Sequence, residues 1–179
     1  DDAAFEDVLR RYGDRVVLAS IFGDDGLHQG AMIRPTLPMD NFLSTPVQTG
    51  TINFAIEPEG RIHRHGRAYL NDLRRNVEDV LSRSELPDDL RQARSFAEAT
   101  LDAAQVNAAP ARGDFLHFYG PHRSFTQVPF WYVLDADPWT RQLDGGRFFE
   151  DKIVLIGATA DRFQDFHQAP FSETLLHPA

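Results

Sequence analysis

Apolar positions at the start of the chain recur at helical spacing: Phe5, Val8, Leu9 and Tyr12 fall at i, i+3, i+4 and i+7, one stripe of a helix. Asp1 and Asp2 suit the positive N-terminal end of that helix, and Gly13 supplies its stop. Val16-Val17-Leu18-Ala19 is then a short continuous apolar run, the pattern of a strand covered on both faces. Periodicity vanishes from Gly23 to Pro38, where turn residues predict loop. Over Thr51 to Ile56 the alternation of Ile52, Phe54 and Ile56 predicts a half-covered strand. Glu57-Pro58-Glu59-Gly60 reads as a turn, with Arg61 to Tyr69 as its hairpin return. Leu86, Leu90, Ala93, Ala97, Leu101 and Ala104 trace one helical face that starts at Pro87, Asp88 and Asp89 and ends before Pro110. Phe115 to Tyr119 predicts a strand stopped by Gly120-Pro121, and Phe130 to Leu134 a short helix or turn. Lys152-Ile153-Val154-Leu155-Ile156-Gly157 is the strongest strand signal in the chain. Helices interleaved with apolar strands predict an α/β fold: a mixed, partly parallel sheet flanked by helices, with a β-hairpin insertion. Because a helix followed by a strand is half of a βαβ unit, the expectation is one domain over residues 1–179 that lacks its N-terminal portion.

Charge narrows the partners. The net charge of −9 argues against nucleic acid, which needs a clustered basic face, and against anionic lipid head groups. No apolar stretch approaches the roughly 20 residues that span a bilayer, and no charged-then-apolar leader opens the chain, so any anchor is expected outside it. With no cysteine there is no disulfide, thiolate metal site or cysteine nucleophile.

Chemistry-bearing motifs are sparse. The only lysine, Lys152, follows no Gly-rich loop, and there is no G-x-G-x-x-G, G-x-S-x-G or H-E-x-x-H. No cofactor and no catalytic set are therefore expected. On a strand His63 and His65 would share a face, as a metal pair or a proton-responsive pair would, but Arg61, Arg64 and Arg67 beside them oppose a cation. Asp24/Asp25 and Asp135/Asp137 sit among turn residues and read as backbone-bonding aspartates. Asp161 and Asp165 follow the Lys152 to Gly157 run, and in open α/β sheets ligands bind where such strands end. Tyr119 and Arg123 follow the Phe115 to Tyr119 run and would face the same edge if the two strands were parallel neighbours, a ring and a guanidinium suited to an anionic or planar ligand.

Taken in order, several blocks resemble the type-2 CHASE domain. Phe118-Tyr119-Gly120-Pro121 with Phe125, Val128 and Val133-Leu134 forms one; Phe149-Glu150-Asp151-Lys152-Ile153-Val154-Leu155-Ile156-Gly157-Ala158-Thr159-Ala160 forms the next. Asp165 and Ala169-Pro170-Phe171 close it, and upstream Gly50 to Phe54 with Glu57-x-Glu59-Gly60-Arg61-Ile62-x-Arg64 is similar to a "G…N…D-x-D-G-x-x-R" element. The family's opening half and the Pro-Gly-Val before its closing His-Ala are missing. The resemblance implies a periplasmic or extracytoplasmic sensory domain of a bacterial receptor, tied to transmembrane helices and to a cyclase or kinase output. It implies a small ligand or an envelope signal as partner, no nucleic acid, and a homodimer as one arrangement; it carries no catalytic residues across. The candidate ligand-binding residues are Tyr119, Arg123, Thr159 and Asp165, lining a crevice at the C-terminal edge of the sheet. Two other classes compete with this reading: a ligand-independent structural or dimerisation ectodomain, and a small hydrolase or nucleotide-binding enzyme, which would need a convergent nucleophile, base and oxyanion donors.

Overall fold

In the computed structural model, which describes residues 2–23, 35–80, 86–108, 113–120, 124–158, 166–168, 170 and 177–178, the first stripe folds as helix α1, Asp2–Tyr12. Leu9 is its buried residue, and Phe5 stands edge-on to Phe42 with ring centroids 5.1 Å apart. Phe42 belongs to the single-turn helix α2, Asp40–Leu43, which Asn41 ties to α1 by donating to Glu6 at 3.0 Å. Among the described residues no helix is long and apolar enough to cross a membrane.

The chain divides into two compact units, Asp1–Leu116 and His117–Ala179. The first is built on a three-stranded mixed sheet in the order β2-β1-β3, where β1 is Val17–Phe22, β2 is Pro35–Thr36 and β3 is Gln48–Thr51. β1 runs parallel to β3, Val17 opposite Gln48 and Ser20 opposite Thr51, and antiparallel to β2. This is the α/β class with a partly parallel sheet that the alternation of elements predicts. Phe22 packs into the core with Leu70, Leu73 and Val77 of helix α3, Gly66–Val80, and with Leu86 and Leu90 near helix α4, Asp88–Gln92.

Several boundaries differ from expectation, each for a local reason. β1 is covered on one face only: Ser20 and Phe22 are buried, Ala19 and Ile21 exposed. The strand expected over Thr51 to Ile56 ends at Thr51, and its hairpin survives as the isolated bridge Ile56–Ile62 around the turn in which Gly60 (φ 81°) donates to the Glu57 carbonyl at 2.7 Å. The return does not reach Tyr69, because α3 begins at Gly66. The single helix expected from Pro87 to Ala104 is two. Ala93 is extended (ψ 135°), and Ser95 starts helix α5, Phe96–Ala103, by a capping box with Glu98. The break lets the extended segment join the edge of β3, Thr51 N–H donating to the Arg94 carbonyl at 2.9 Å.

Around the turn, Arg64 Nε donates to Glu57 at 2.7 Å and its Nη1 to Asp72 at 2.5 Å. Burial pushes the Asp72 carboxyl up, but the hydrogen bonds from Arg64 and Arg75 outweigh it and hold the group below its ordinary value. A depressed carboxylate contributes stability that is present above its unfolded value and is lost as pH falls through the folded one. Arg64→Met is therefore expected to cost about 1–2 kcal/mol at pH 7, between the exposed and buried limits for ion pairs. Urea midpoints of variant and wild type should converge as acid protonates Asp72; a gap that is constant with pH would contradict the ion-pair account.

The second unit holds helix α6, Trp131–Leu134, and helix α7, Ala136–Arg141, whose Asp135 cap accepts from Asp137 N–H at 3.0 Å. A 3-10 segment, Asp144–Phe149, follows, with Leu143 and Pro138 buried. A two-stranded antiparallel pair joins β4, Phe166–His167, to β5, His177–Pro178. The strand predicted over Phe115 to Tyr119 and the strongest predicted strand, Lys152 to Gly157, are not strands here. Of Phe115 to Tyr119 only Phe115 bridges, to Arg64, and Lys152 to Gly157 has no regular structure. Ile153, Val154, Leu155 and Ile156 are 48, 49, 72 and 80 % exposed. Side-chain type favours a strand, but a strand exists only where a neighbour takes its N–H and C=O groups, and no described residue pairs with this run.

Candidate functional site

Where β1 and β3 face α4, their alternating side chains bring hydroxyls against a polar helix. Ser20 is a polar break in the otherwise apolar β1, Thr49 stands on β3, and Asp89 and Gln92 come from α4. With Phe22, Pro35, Leu37, Ala93 and Arg94 they line a hollow of about 300 Å³. Its walls are mixed: apolar carbon from Phe22, Pro35 and Leu37, two hydroxyls, one amide, and the opposite charges of Asp89 and Arg94. Arg94 is held in place by Gln48 Oε1 at 2.5 Å and by Asp102 at 3.2 Å. Apolar walls with a few placed polar groups are the chemistry of a small-ligand site. Ser20 and Thr49 offer hydrogen bonds to a ligand, and no imidazole is among the residues that line the hollow.

A second concavity, of about 450 Å³, is lined by Phe5, Leu18, Ile21, Leu37, Met39 and Phe42 together with Ala19, Ser20, Thr36, Pro38 and Ile52. Its lining carries no charged group, so it has little with which to orient a polar ligand.

Of the four candidate residues read from the sequence, Tyr119 is described: it lies in the second unit, 82 % exposed, its ring edge-on to His117 at 5.6 Å and to Phe125 at 6.1 Å. Arg123, Thr159 and Asp165 lie outside the described residues, as do Asp24, Asp25 and Asp161. His63 and His65 do not act as a pair. His63 Nε2 is 3.0 Å from Glu59, while His65 bonds the Gly113 carbonyl and the Ala68 amide. Among the described residues no three histidines, aspartates or glutamates are grouped to hold a metal ion.

The hollow escaped the sequence because its members look ordinary one by one. Asp89 reads as a helix-dipole residue, Arg94 as a position within a longer helix, and only Ser20, a hydroxyl at an inward strand position, was a signal. A second missed residue is Asn53: its Oδ1 accepts from Phe22 N–H at 2.8 Å and from Thr51 Oγ1 at 2.8 Å, and its Nδ2 donates to the Phe22 carbonyl at 2.9 Å. It fixes the chain where β1 leaves the sheet, beside the hollow wall formed by Phe22. Compared with known proteins, residues 1–178 match the model of a family described as the CHASE2 domain. No curated protein and no solved structure matches the chain.

Proposed function

The chain belongs to the CHASE2 domain family, a family of sensory domains of signalling receptors, and on that premise we propose that it is the extracytoplasmic signal-input domain of a bacterial transmembrane receptor with a cyclase or sensor-kinase output. The match over residues 1–178 carries this reading. The domain itself is sensory and non-catalytic. A bound ligand can bias the following membrane helices only through a difference in affinity between two receptor states. The open reading frame of the parent protein tests the placement: flanking membrane spans and a cytoplasmic signalling domain are expected, and a soluble enzyme partner would overturn it.

Within the domain the hollow between β1, β3 and α4 is the ligand site we favour, since it combines apolar walls with hydroxyl, amide and charged groups. Small metabolites that raise the melting temperature of the 179-residue chain are expected to lose that effect in Asp89→Ala and Gln92→Ala. A shift that persists in both moves the ligand elsewhere, the crevice proposed at Tyr119, Arg123, Thr159 and Asp165 being the next place to test by the same substitutions.

A second reading, an ectodomain that sets receptor spacing by homodimerisation, is favoured by one observation. Leu155 and Ile156 are 72 and 80 % exposed within an unbroken apolar run, the kind of surface that marks a protein contact. Sedimentation distinguishes the two readings: a dimer that needs no ligand supports the second, and a monomer removes it.

A further inference from the structure

We propose that the hollow between β1, β3 and α4 takes a small primary ammonium ion, an amine on a short apolar chain. This rests on the hollow being the ligand site and names the chemistry of its ligand. Ser20 is 8 % exposed, yet its hydroxyl bonds to no group among the described residues. A buried hydroxyl ordinarily has a partner. No described side-chain oxygen or nitrogen is both sealed from solvent and unpartnered, so this hydroxyl opens into a concavity. Ser20 borders two of them, but side chains alternate along a strand. Phe22, two residues on, lines the hollow, whereas Ala19 and Ile21 line the other concavity. The Ser20 hydroxyl therefore faces the hollow. The side chains of Thr49 and Gln92, which also line it, likewise bond to no described group.

Two charges line the hollow, and one of them is already answered. Arg94 pairs with Asp102 at 3.2 Å and donates to Gln48 at 2.5 Å. Asp89 has no ion pair among the described residues, because the arginines around α4 are engaged elsewhere. Arg91 pairs with Asp88 at 3.1 Å and donates to the Leu86 carbonyl at 2.8 Å. Arg74 donates to the carbonyls of Leu90 and Ala93 at 3.1 and 2.5 Å. What remains open to a ligand is one carboxylate, two hydroxyls and an amide. An ammonium brings three N–H donors and no acceptor, the complement of a carboxylate beside hydroxyl oxygens. Its carbon chain has Phe22, Pro35 and Leu37 to lie against. An anionic ligand would instead meet Asp89 as a like charge. The net charge of −9 acts in the same direction, concentrating cations near the surface and depleting anions. A volume of about 300 Å³ is at the small end of ligand sites, which limits the chain to a few carbons.

Titration of the 179-residue chain with n-butylammonium chloride at constant ionic strength, followed by amide chemical shifts, tests the assignment. Sodium butyrate and tetramethylammonium chloride are titrated beside it. Saturable shifts at the Ser20, Thr49 and Gln92 amides are expected with butylammonium and not with butyrate. Tetramethylammonium carries the charge but no N–H, and should bind about tenfold more weakly, the effect of losing a charge-assisted hydrogen bond. Asp89→Asn should weaken butylammonium binding about tenfold and Ser20→Ala about fivefold. Asp88→Asn makes the same charge change one residue away, on a carboxylate that does not line the hollow, and should leave binding unchanged. The ammonium assignment is overturned if these amides do not respond to butylammonium, or if butyrate or tetramethylammonium binds as tightly. It is equally overturned if Asp89→Asn binds like wild type or Asp88→Asn loses binding to the same extent. The hollow as a ligand site falls only by the separate test above, a metabolite whose stabilising effect survives both Asp89→Ala and Gln92→Ala.

Discussion

Gly50→Ala is expected to lower the stability of the first unit by about 2–3 kcal/mol, the cost of forcing one methyl into a packed interface, read as a fall in the urea midpoint. A Cβ on Gly50 would lie 2.5 Å from the Phe96 Cα, 3.0 Å from the Phe96 nitrogen and 3.1 Å from the Ala99 Cβ. The first two are backbone atoms of α5 and cannot turn aside as a side chain can. Relief would require α5 to lift from β3, yet the start of α5 is fixed twice. Ser95 and Glu98 form the capping box, and Thr51 N–H holds the Arg94 carbonyl at 2.9 Å. Gly23→Ala is the control: nothing lies within 4 Å of its added Cβ, and the change should stay within about 0.5 kcal/mol. Equal midpoints for the two variants would mean that α5 does not sit on β3 as closely as these distances require.

The α/β class was legible, because it depends on the order of apolar runs and helical stripes, which the chain carries locally. α1 followed from Phe5, Val8, Leu9 and Tyr12 at helical spacing. α3 carries an equally local stripe, Leu70, Leu73 and Val77 on one buried face, yet it is a helix the sequence reading does not include: Arg61 to Tyr69 reads as a hairpin return and no element is expected over residues 70–80. The Ser95-x-x-Glu98 pattern is also local, and it divides α4 from α5 where the apolar stripe alone runs on. Lys152 to Gly157 shows the opposite limit. Its residue types encode β preference, but pairing is a non-local fact that no property of the run supplies. The candidate site failed to appear for that reason too: Ser20, Thr49 and Asp89 line one hollow only after β1 and β3 pair and the chain brings α4 beside them. The upstream element of the family resemblance, from Gly50 to Arg64, was visible as spacing. In the fold that element is a close helix approach at Gly50, a backbone clamp at Asn53, a left-handed turn at Gly60 and an ion network at Arg64.

The Asn53 clamp yields the other large effect. Asn53→Ala is expected to cost about 3 kcal/mol, because each buried polar group stripped of its partner costs roughly 1–3 kcal/mol. Three groups lose one: the Phe22 N–H, the Phe22 carbonyl and the hydroxyl of Thr51, a residue 2 % exposed. Asn53→Asp resolves which half of the amide matters. A carboxylate still accepts from Phe22 N–H and Thr51 Oγ1, but it cannot donate to the Phe22 carbonyl and sets negative charge against that oxygen. Protonation restores a donor, so the folded state favours the protonated acid and raises this carboxyl above its unfolded value. A group raised in this way contributes stability in acid that disappears as pH rises through its folded value. Measured against wild type at each pH, which removes the separate acid loss from Asp72, the Asn53→Asp deficit should be large at pH 7 and shrink toward pH 4. A deficit constant over that range would mean that the Phe22 carbonyl does not depend on the amide donor, and the end of β1 would then be held by the acceptor bonds alone.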